Sequence, residues 1–329
     1  MPQQILSDQE KIIHLMRKSG YSASTEGVCM GISMMGIQAI LCGDLVNFEK
    51  RLEGIKTYTD STKSISSDGR GFFDGIELYQ QGYLYSYLYT LIPTPQNYVL
   101  TSQIISPQTI QKQGGITQSI CYSGVYDHNE LSVFFEILQN KLSEEALNGN
   151  NFVFLLTSLT HAVSVAYNHE CNTWILIDSK QLPVKHNLSN ESLAKLVSDS
   201  FTYVGNKTHP IIFSTKIITT NYQNNKLKPL INSLRVTPEW QEIHRVSETK
   251  AILKDSKFRT WLHIAAREGQ TDIIQDLIGN GANVDQKCSM GSVPLTLAVD
   301  HLHESATDLL LSAGANPNTG CLSPPNVGS

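Results

Sequence analysis

The feature that most constrains this chain is an internal repeat near its C-terminal end. Residues 260–283 read TWLHIAAREGQTDIIQDLIGNGAN, and residues 293–316 read VPLTLAVDHLHESATDLLLSAGAN. Leu262 aligns with Leu295, Ala265 with Ala298, Gly281 with Gly314 and Asn283 with Asn316, each 33 residues apart. A fixed period of this length marks a stacked array of one supersecondary unit. The unit reads as helix–turn–helix. Ala265 and Ala266 are small enough for neighbouring units to stack closely, while Ile273, Ile274, Leu277 and Ile278 form an apolar helical stripe. Gly281 then supplies the left-handed residue that ends the second helix.

The pattern resembles ankyrin repeats. The family's TPLHxAA motif corresponds to Thr260-Trp261-Leu262-His263-Ile264-Ala265-Ala266, followed by the GAN element. The second unit departs from TPLH, reading Val293-Pro294-Leu295-Thr296. The resemblance implies a protein-binding surface and a structural role for His263. Two units are fewer than the about three that bury a solenoid core. The helix around Thr237-Pro238-Glu239-Trp240 is expected to cap the N-terminal side, with Thr237 as N-cap and Pro238 in the first turn. The tail GCLSPPNVGS completes no third unit, which fits a chain cut short of further repeats or of a C-terminal tail.

Upstream, residues 8–18, 29–41, 74–91 and 129–142 read as helices, and 152–157, 161–167, 173–178 and 210–218 as strands. Helices first and strands later predict an α+β domain over residues 1–220. Residues 221–257 are expected to hold a linker and the capping helix, with the repeats filling 258–329.

Two segments of the upstream domain carry chemistry. After Cys29, the apolar residues Ile32, Met35, Ala39 and Ile40 recur at helical spacing, which puts Cys29 at or near a helix N-terminus. The positive end of the helix favours the thiolate there. Gly27 and Gly31 flank the cysteine and permit a tight loop and close approach of another segment. Taken alone, Cys29 reads better as a small apolar residue opening a buried helix, because buried cysteine is common. The second segment runs from Phe152 to Asp178. Here His161–Tyr167 and Asn172–Asp178 read as paired strands joined by Asn168-His169-Glu170-Cys171. Pairing Tyr167 with Asn172 sets Val165 against Trp174 and Val163 against Leu176. It also sets His161 directly against Asp178, within reach of a hydrogen bond. A structural His–Asp pair is the alternative.

Gly-x-Cys-x-Gly opening a helix, then His-Ala-Val-x-Val and Trp-x-Leu-x-Asp-Ser far downstream, resembles the papain-like cysteine proteases found among secreted bacterial effectors. The order Cys, His, Asp is the family's. The resemblance implies a papain-like fold, a helical part plus an antiparallel sheet, ahead of the all-α repeats. It implies Cys29 as nucleophile, His161 as general base and acid, and Asp178 as orienting carboxylate. Joined to ankyrin repeats, it implies a type IV-secreted effector that reaches the host cytoplasm without a cleavable signal peptide. Such an effector acts on a host protein held by the repeats and the cleft. Papain relatives also place a glutamine shortly before the cysteine, as an oxyanion donor. Residues 20–26 contain none, and Ser24 or Thr25 is the substitute considered. Protease, deamidase and transglutaminase use the same triad. A catalytically silent scaffold is the alternative function.

Composition narrows the remaining classes. At 40% hydrophobic and 17% charged residues, the chain has material for packed cores and too little charge for disorder. The net charge is −5 without a basic stripe, so neither nucleic acid nor an anionic membrane is an expected partner. No apolar run approaches the about 18 residues of a membrane span. The six cysteines, at 29, 42, 121, 171, 288 and 321, form no CxxC pair or metal-ligand spacing, so neither metal nor cofactor is expected. The alternating tyrosines of YLYSYLY (83–89) are expected to pack on the core, with a substrate groove as the alternative.

Overall fold

The computed structural model describes residues 7–23, 27–57, 66–89, 98–144, 152–202 and 209–319. Four helices come first: α1 (Asp8–Lys18), α2 (Cys29–Leu41), α3 (Leu45–Lys56) and α4 (Ser67–Gln81). A 3-10 segment (Gly82–Leu88), α5 (Tyr98–Ile105) and α6 (Gln108–Lys112) follow. The strands are β1 (Ile116–Tyr126), β2 (Phe152–Thr157), β3 (Ala162–Asn168), β4 (Thr173–Ile177), β5 (Lys185–Leu188) and β6 (Ile211–Thr220). Helix α7 (His128–Glu144) follows β1, and α8 (Asn190–Phe201) lies between β5 and β6. Among the described residues, seven helices follow β6: α9 (Asn221–Arg235), α10 (Pro238–Ile243), α11 (Glu248–Ile252), α12 (Trp261–Arg267), α13 (Thr271–Gly279), α14 (Pro294–Asp300) and α15 (Glu304–Ser312).

The six strands form one antiparallel sheet in the order β1-β6-β2-β3-β4-β5. Strand alternation sorts its side chains between two cores. Val153, Leu155, Ala162, Ala166, Ile177 and Ile218 pack with α1 to α5. Phe152, Phe154, Leu156, Val163, Val165, Trp174, Leu176 and Phe213 pack with α7 to α10. This is a mixed architecture, helices on both faces of an antiparallel sheet, followed by a helical C-terminal region.

Helix α2 is buried along almost its whole length, so apolar residues line it all round. Two glycines set how closely it packs. A Cβ at Gly31 would overlap the backbone of Ile76 in α4, and one at Gly36 would sit 2.6 Å from Ile177 Cδ1 in β4. Ser33 Oγ donates to Ala162 O at 3.1 Å, and Ser164 Oγ donates to Ser33 O at 3.3 Å. These bonds pin the start of α2 to β3.

The β3–β4 register differs from the expected one. Tyr167 pairs with Trp174 and Val165 with Leu176, so Asp178 does not stand directly opposite His161. The turn explains the shift. Asn168 pairs with Thr173, moving the four-residue loop one position on, to 169–172. Asn168 Oδ1 accepts the Glu170 and Cys171 N–H groups (3.0 and 3.4 Å), and Asn172 takes the left-handed conformation at φ 53°. Each β3 residue therefore meets the β4 residue two places further on. A two-residue shift preserves the faces, so His161 and Asp178 stay on one side.

Other elements also depart from expectation. Helix α4 begins at Ser67 and ends at Gln81, and the tyrosine run beyond it is a 3-10 segment with Tyr83 and Tyr87 exposed. Residues 221–235, expected as linker, form α9, whose Leu227, Leu230, Ile231 and Leu234 join the core beneath the sheet. The Thr237 helix forms with the expected cap, but Trp240 packs on Phe134 and Tyr122 in that same core. Short α11 contributes Ala251 to the core of the repeats instead. In the repeats, Gly281 and Gly314 are left-handed (φ 88° and 89°) after their helices. Val125 and Ile212 of the sheet join the repeat core around Trp261, Leu262 and Ala265, so the array closes against β1 and β6.

Candidate active site

Cys29 is the first residue of α2, with Val28 as a cap that makes no side-chain bond. His161 ends the turn between β2 and β3. Asp178 is the first residue after β4. The fold brings these three side chains together, and all are buried: 7%, 4% and 2% exposed.

His161 Nε2 lies 2.8 Å from Asp178 Oδ1. A carboxylate accepts, so Nε2 carries the proton and Nδ1 is the ring nitrogen that remains for the Cys29 thiol, whose ionisation the imidazole favours. Asp178 accepts three further bonds: from Lys180 N–H (2.9 Å), Gln181 Nε2 (3.0 Å) and Ser200 Oγ (2.6 Å). Four donors on one carboxylate fix its plane and, through it, the plane of the ring.

The electrostatics follow from these contacts. Burial pushes the Cys29 thiol up, but the bond and charge of His161, the Ala162 backbone N–H and Lys180 together hold it below its ordinary value. Burial pushes His161 down, yet Asp178 and Cys29 outweigh it and raise the imidazole. Asp178 is raised by burial and lowered further by His161, Ser200 and the Lys180 N–H, so it is held down. Each direction favours a thiolate–imidazolium pair backed by a carboxylate.

Around the cysteine, the α2 N–H groups of Met30 and Gly31 donate to Gln80 Oε1 at 3.0 and 3.2 Å. Gln9 of α1 lies against the backbone leading into Cys29: a Cβ at Gly27 would come 3.0 Å from its Nε2. Its Oε1 accepts Ser179 Oγ, next to Asp178. Gln9, Gln80, Gln181 and Ser200 escaped the sequence reading. Gln9, Gln80 and Ser200 reach the site across long sequence separations and Gln181 from the turn after β4, and no periodicity marks such residues. Ser24 and Thr25 lie outside the described residues. Among the described residues, no group of three or more His, Cys, Asp or Glu side chains is placed to hold a metal ion. Among the same residues, no helix is long and apolar enough to cross a membrane.

The repeats have their own signature. His263 is buried; its Nδ1 accepts the Thr260 N–H at 3.1 Å and its Nε2–H points at Ser292 O at 3.4 Å. In the second unit Thr296 Oγ1 performs the same task, accepting Val293 N–H at 3.1 Å. Residues 222–321 match the ankyrin-repeat family in three copies. This stretch is an ankyrin array. The match begins inside α9, so it takes in the segment expected as linker, where the TPLH signature is absent. Ankyrin repeats imply protein partners, bound through the concave face and loops of the stack. No curated protein matches the chain.

Proposed function

We propose that the chain is a cysteine-dependent acyl-transfer enzyme of papain-like design, with Cys29, His161 and Asp178 as its triad and the ankyrin array holding the protein it acts on. The observation that carries this reading is the buried cluster of Cys29, His161 and Asp178, in which His161 bonds Asp178 at 2.8 Å and the cysteine opens a helix. A structural His–Asp pair has no need of a thiol on the other side of its ring.

In the proposed cycle, Cys29 thiolate attacks a substrate carbonyl, forming a C–S bond and an oxyanion. The imidazolium of His161 protonates the leaving nitrogen as the C–N bond breaks. A thioester remains. His161 then takes a proton from water or an amine, which attacks the thioester and releases the thiolate. Gln9 Nε2 and the Cys29 N–H are the proposed oxyanion donors, the glutamine coming from α1 rather than from the loop before the cysteine. The effector reading, with a host protein as substrate, belongs to this same proposal and stands on the resemblance noted above.

The near-complete burial of Cys29 and His161 favours a second reading, a silent protease-like scaffold whose output is ankyrin-mediated binding. One experiment separates the two. A proteome-derived peptide library is incubated with the protein, with and without an added primary amine, and read by mass spectrometry. Cleavage, glutamine deamidation or amine incorporation that disappears in Cys29→Ser establishes the enzyme and its reaction type. Identical spectra for both proteins leave the scaffold.

A further inference from the structure

The ankyrin array reaches the turn that carries His161. This turn, residues 158–161, is closed by Ser158 N–H donating to His161 O at 2.9 Å and by His161 N–H donating to Ser158 Oγ at 3.2 Å. Two arginines hold it from outside. Arg267, the last residue of α12, donates Nη1 to Ser158 O and Nη2 to Thr157 O and Thr157 Oγ1 at 3.1 and 2.9 Å. Arg259, just before α12, donates Nη1 to Thr160 Oγ1 at 2.8 Å.

Both guanidiniums are buried, at 2% and 4% exposed, and each is fixed by its own carboxylate. Glu268 accepts Arg267 Nε at 2.9 Å. Asp255 accepts Arg259 Nε, and its other oxygen takes the N–H groups of Lys257 (2.8 Å) and Arg259 (2.9 Å). Burying charge is costly, and apolar packing would join the two regions as well. What a planar, pre-oriented guanidinium adds is direction. Here both arginines direct donors at one five-residue stretch, 157–161, onto Thr157, Ser158, Thr160 and, through Ser158, His161, while Arg267 also donates to Ser214 Oγ at 3.2 Å.

We infer that Arg259 and Arg267 are positioning residues: the ankyrin array fixes the turn that aims the imidazole at Cys29. The inference rests on the triad reading above, and its test keeps the two apart. The probe is iodoacetamide, and the readout is the pH profile of Cys29 alkylation in the full chain. The charged groups facing Cys29 are His161 and Lys180, with Asp178 behind the imidazole, and none of them is altered.

Thr160 is exposed, so Thr160→Val removes one arginine contact without threatening the fold. It is expected to slow alkylation at about pH 6 roughly fivefold and to move the acid limb toward that of a free thiol. Thr160→Ser, which keeps the hydroxyl, is expected to restore the wild-type profile. Arg267→Lys keeps a charge beside Glu268 but loses the two-armed grip, and is expected to cost tenfold or more, on the order of what small misplacements cost a catalytic group. Profiles for Thr160→Val and Arg267→Lys that superimpose on the wild type overturn the inference. Should Arg267→Lys not fold, the Thr160 pair decides alone: equal profiles for Val and Ser overturn it. A wild-type Cys29 with no low-pH limb is a different result, because it removes the triad reading itself and the positioning role with it.

Discussion

At the scale of single residues, the site depends on what surrounds three ordinary side chains. In the proposed triad Asp178 does not act on substrate; its four donors favour its ionised form, and its bond to Nε2 sets which ring nitrogen of His161 carries the proton. Asp178→Asn is expected to lower kcat/KM by up to about 10⁴, the cost of presenting the wrong tautomer, with little change in fold. Ser200→Ala removes one of the donors at 2.6 Å. A bond to a charged acceptor is worth about 1.5–3 kcal/mol, so chemical denaturation at neutral pH is expected to show a loss in that range. The pH dependence follows from the directions of shift. Activity is expected to rise as the thiolate forms below the ordinary thiol range and to fall as His161 loses its proton above the ordinary imidazole range, giving a bell. Cys29, His161 and Asp178 were all legible, because a helix start and two alternating strands bracket them. Gln9, Gln181 and Ser200 were not. Gln9 and Ser200 reach it from helices α1 and α8 and Gln181 from the turn after β4, and such contacts leave no pattern along a chain.

At the scale of elements, α2 and the β3–β4 hairpin set the site. Gly31 allows α2 to lie against α4 backbone, so Gly31→Ala is expected to destabilise by about 1–3 kcal/mol, the usual cost of overpacking, read as a shift in denaturation midpoint. The limits of the four expected strands were legible to within two residues, since apolar runs mark them, whereas β1 and β5, largely half-buried or exposed, were not expected as strands. Register was not legible. It was decided by the way Asn168 and Asn172 close the loop, a local hydrogen-bond choice. In the repeats, His263 is held neutral by burial, its pKa lowered from 6.5 to about 4. A base depressed in the folded state contributes stability that is complete above its unfolded value and is lost as pH falls from 6.5 toward 4. The loss amounts to roughly 3 kcal/mol. His263→Gln is expected to flatten that part of the stability–pH curve; an unchanged slope would show that another group sets it.

At the scale of the molecule, sheet and repeats share a buried seam. Glu268 accepts Lys216 at 2.9 Å, Ser214 at 3.0 Å and Arg267, and their charges hold it well below the usual carboxylate range despite its burial. Glu268→Ala leaves two cations buried without it, at an expected cost of about 3–5 kcal/mol. Because Val125 and Ile212 of the sheet lie in the repeat core, calorimetry is expected to show one unfolding transition for the whole chain, and two separated transitions would contradict a shared seam. The two 33-residue repeats were visible before any coordinates, through their small residues and glycines. The upstream part of the match, over α9 and α10, was not, because the apolar residues there follow packing beneath the sheet and carry no repeat consensus. The whole arrangement converges on one sulfur atom, which can be interrogated directly by timing iodoacetamide modification of each cysteine at about pH 6 by mass spectrometry. The account predicts that Cys29, though buried, reacts faster than exposed Cys171, and that His161→Ala abolishes the difference. Cys29 reacting no faster than Cys171, or reacting just as fast without the imidazole, would contradict it.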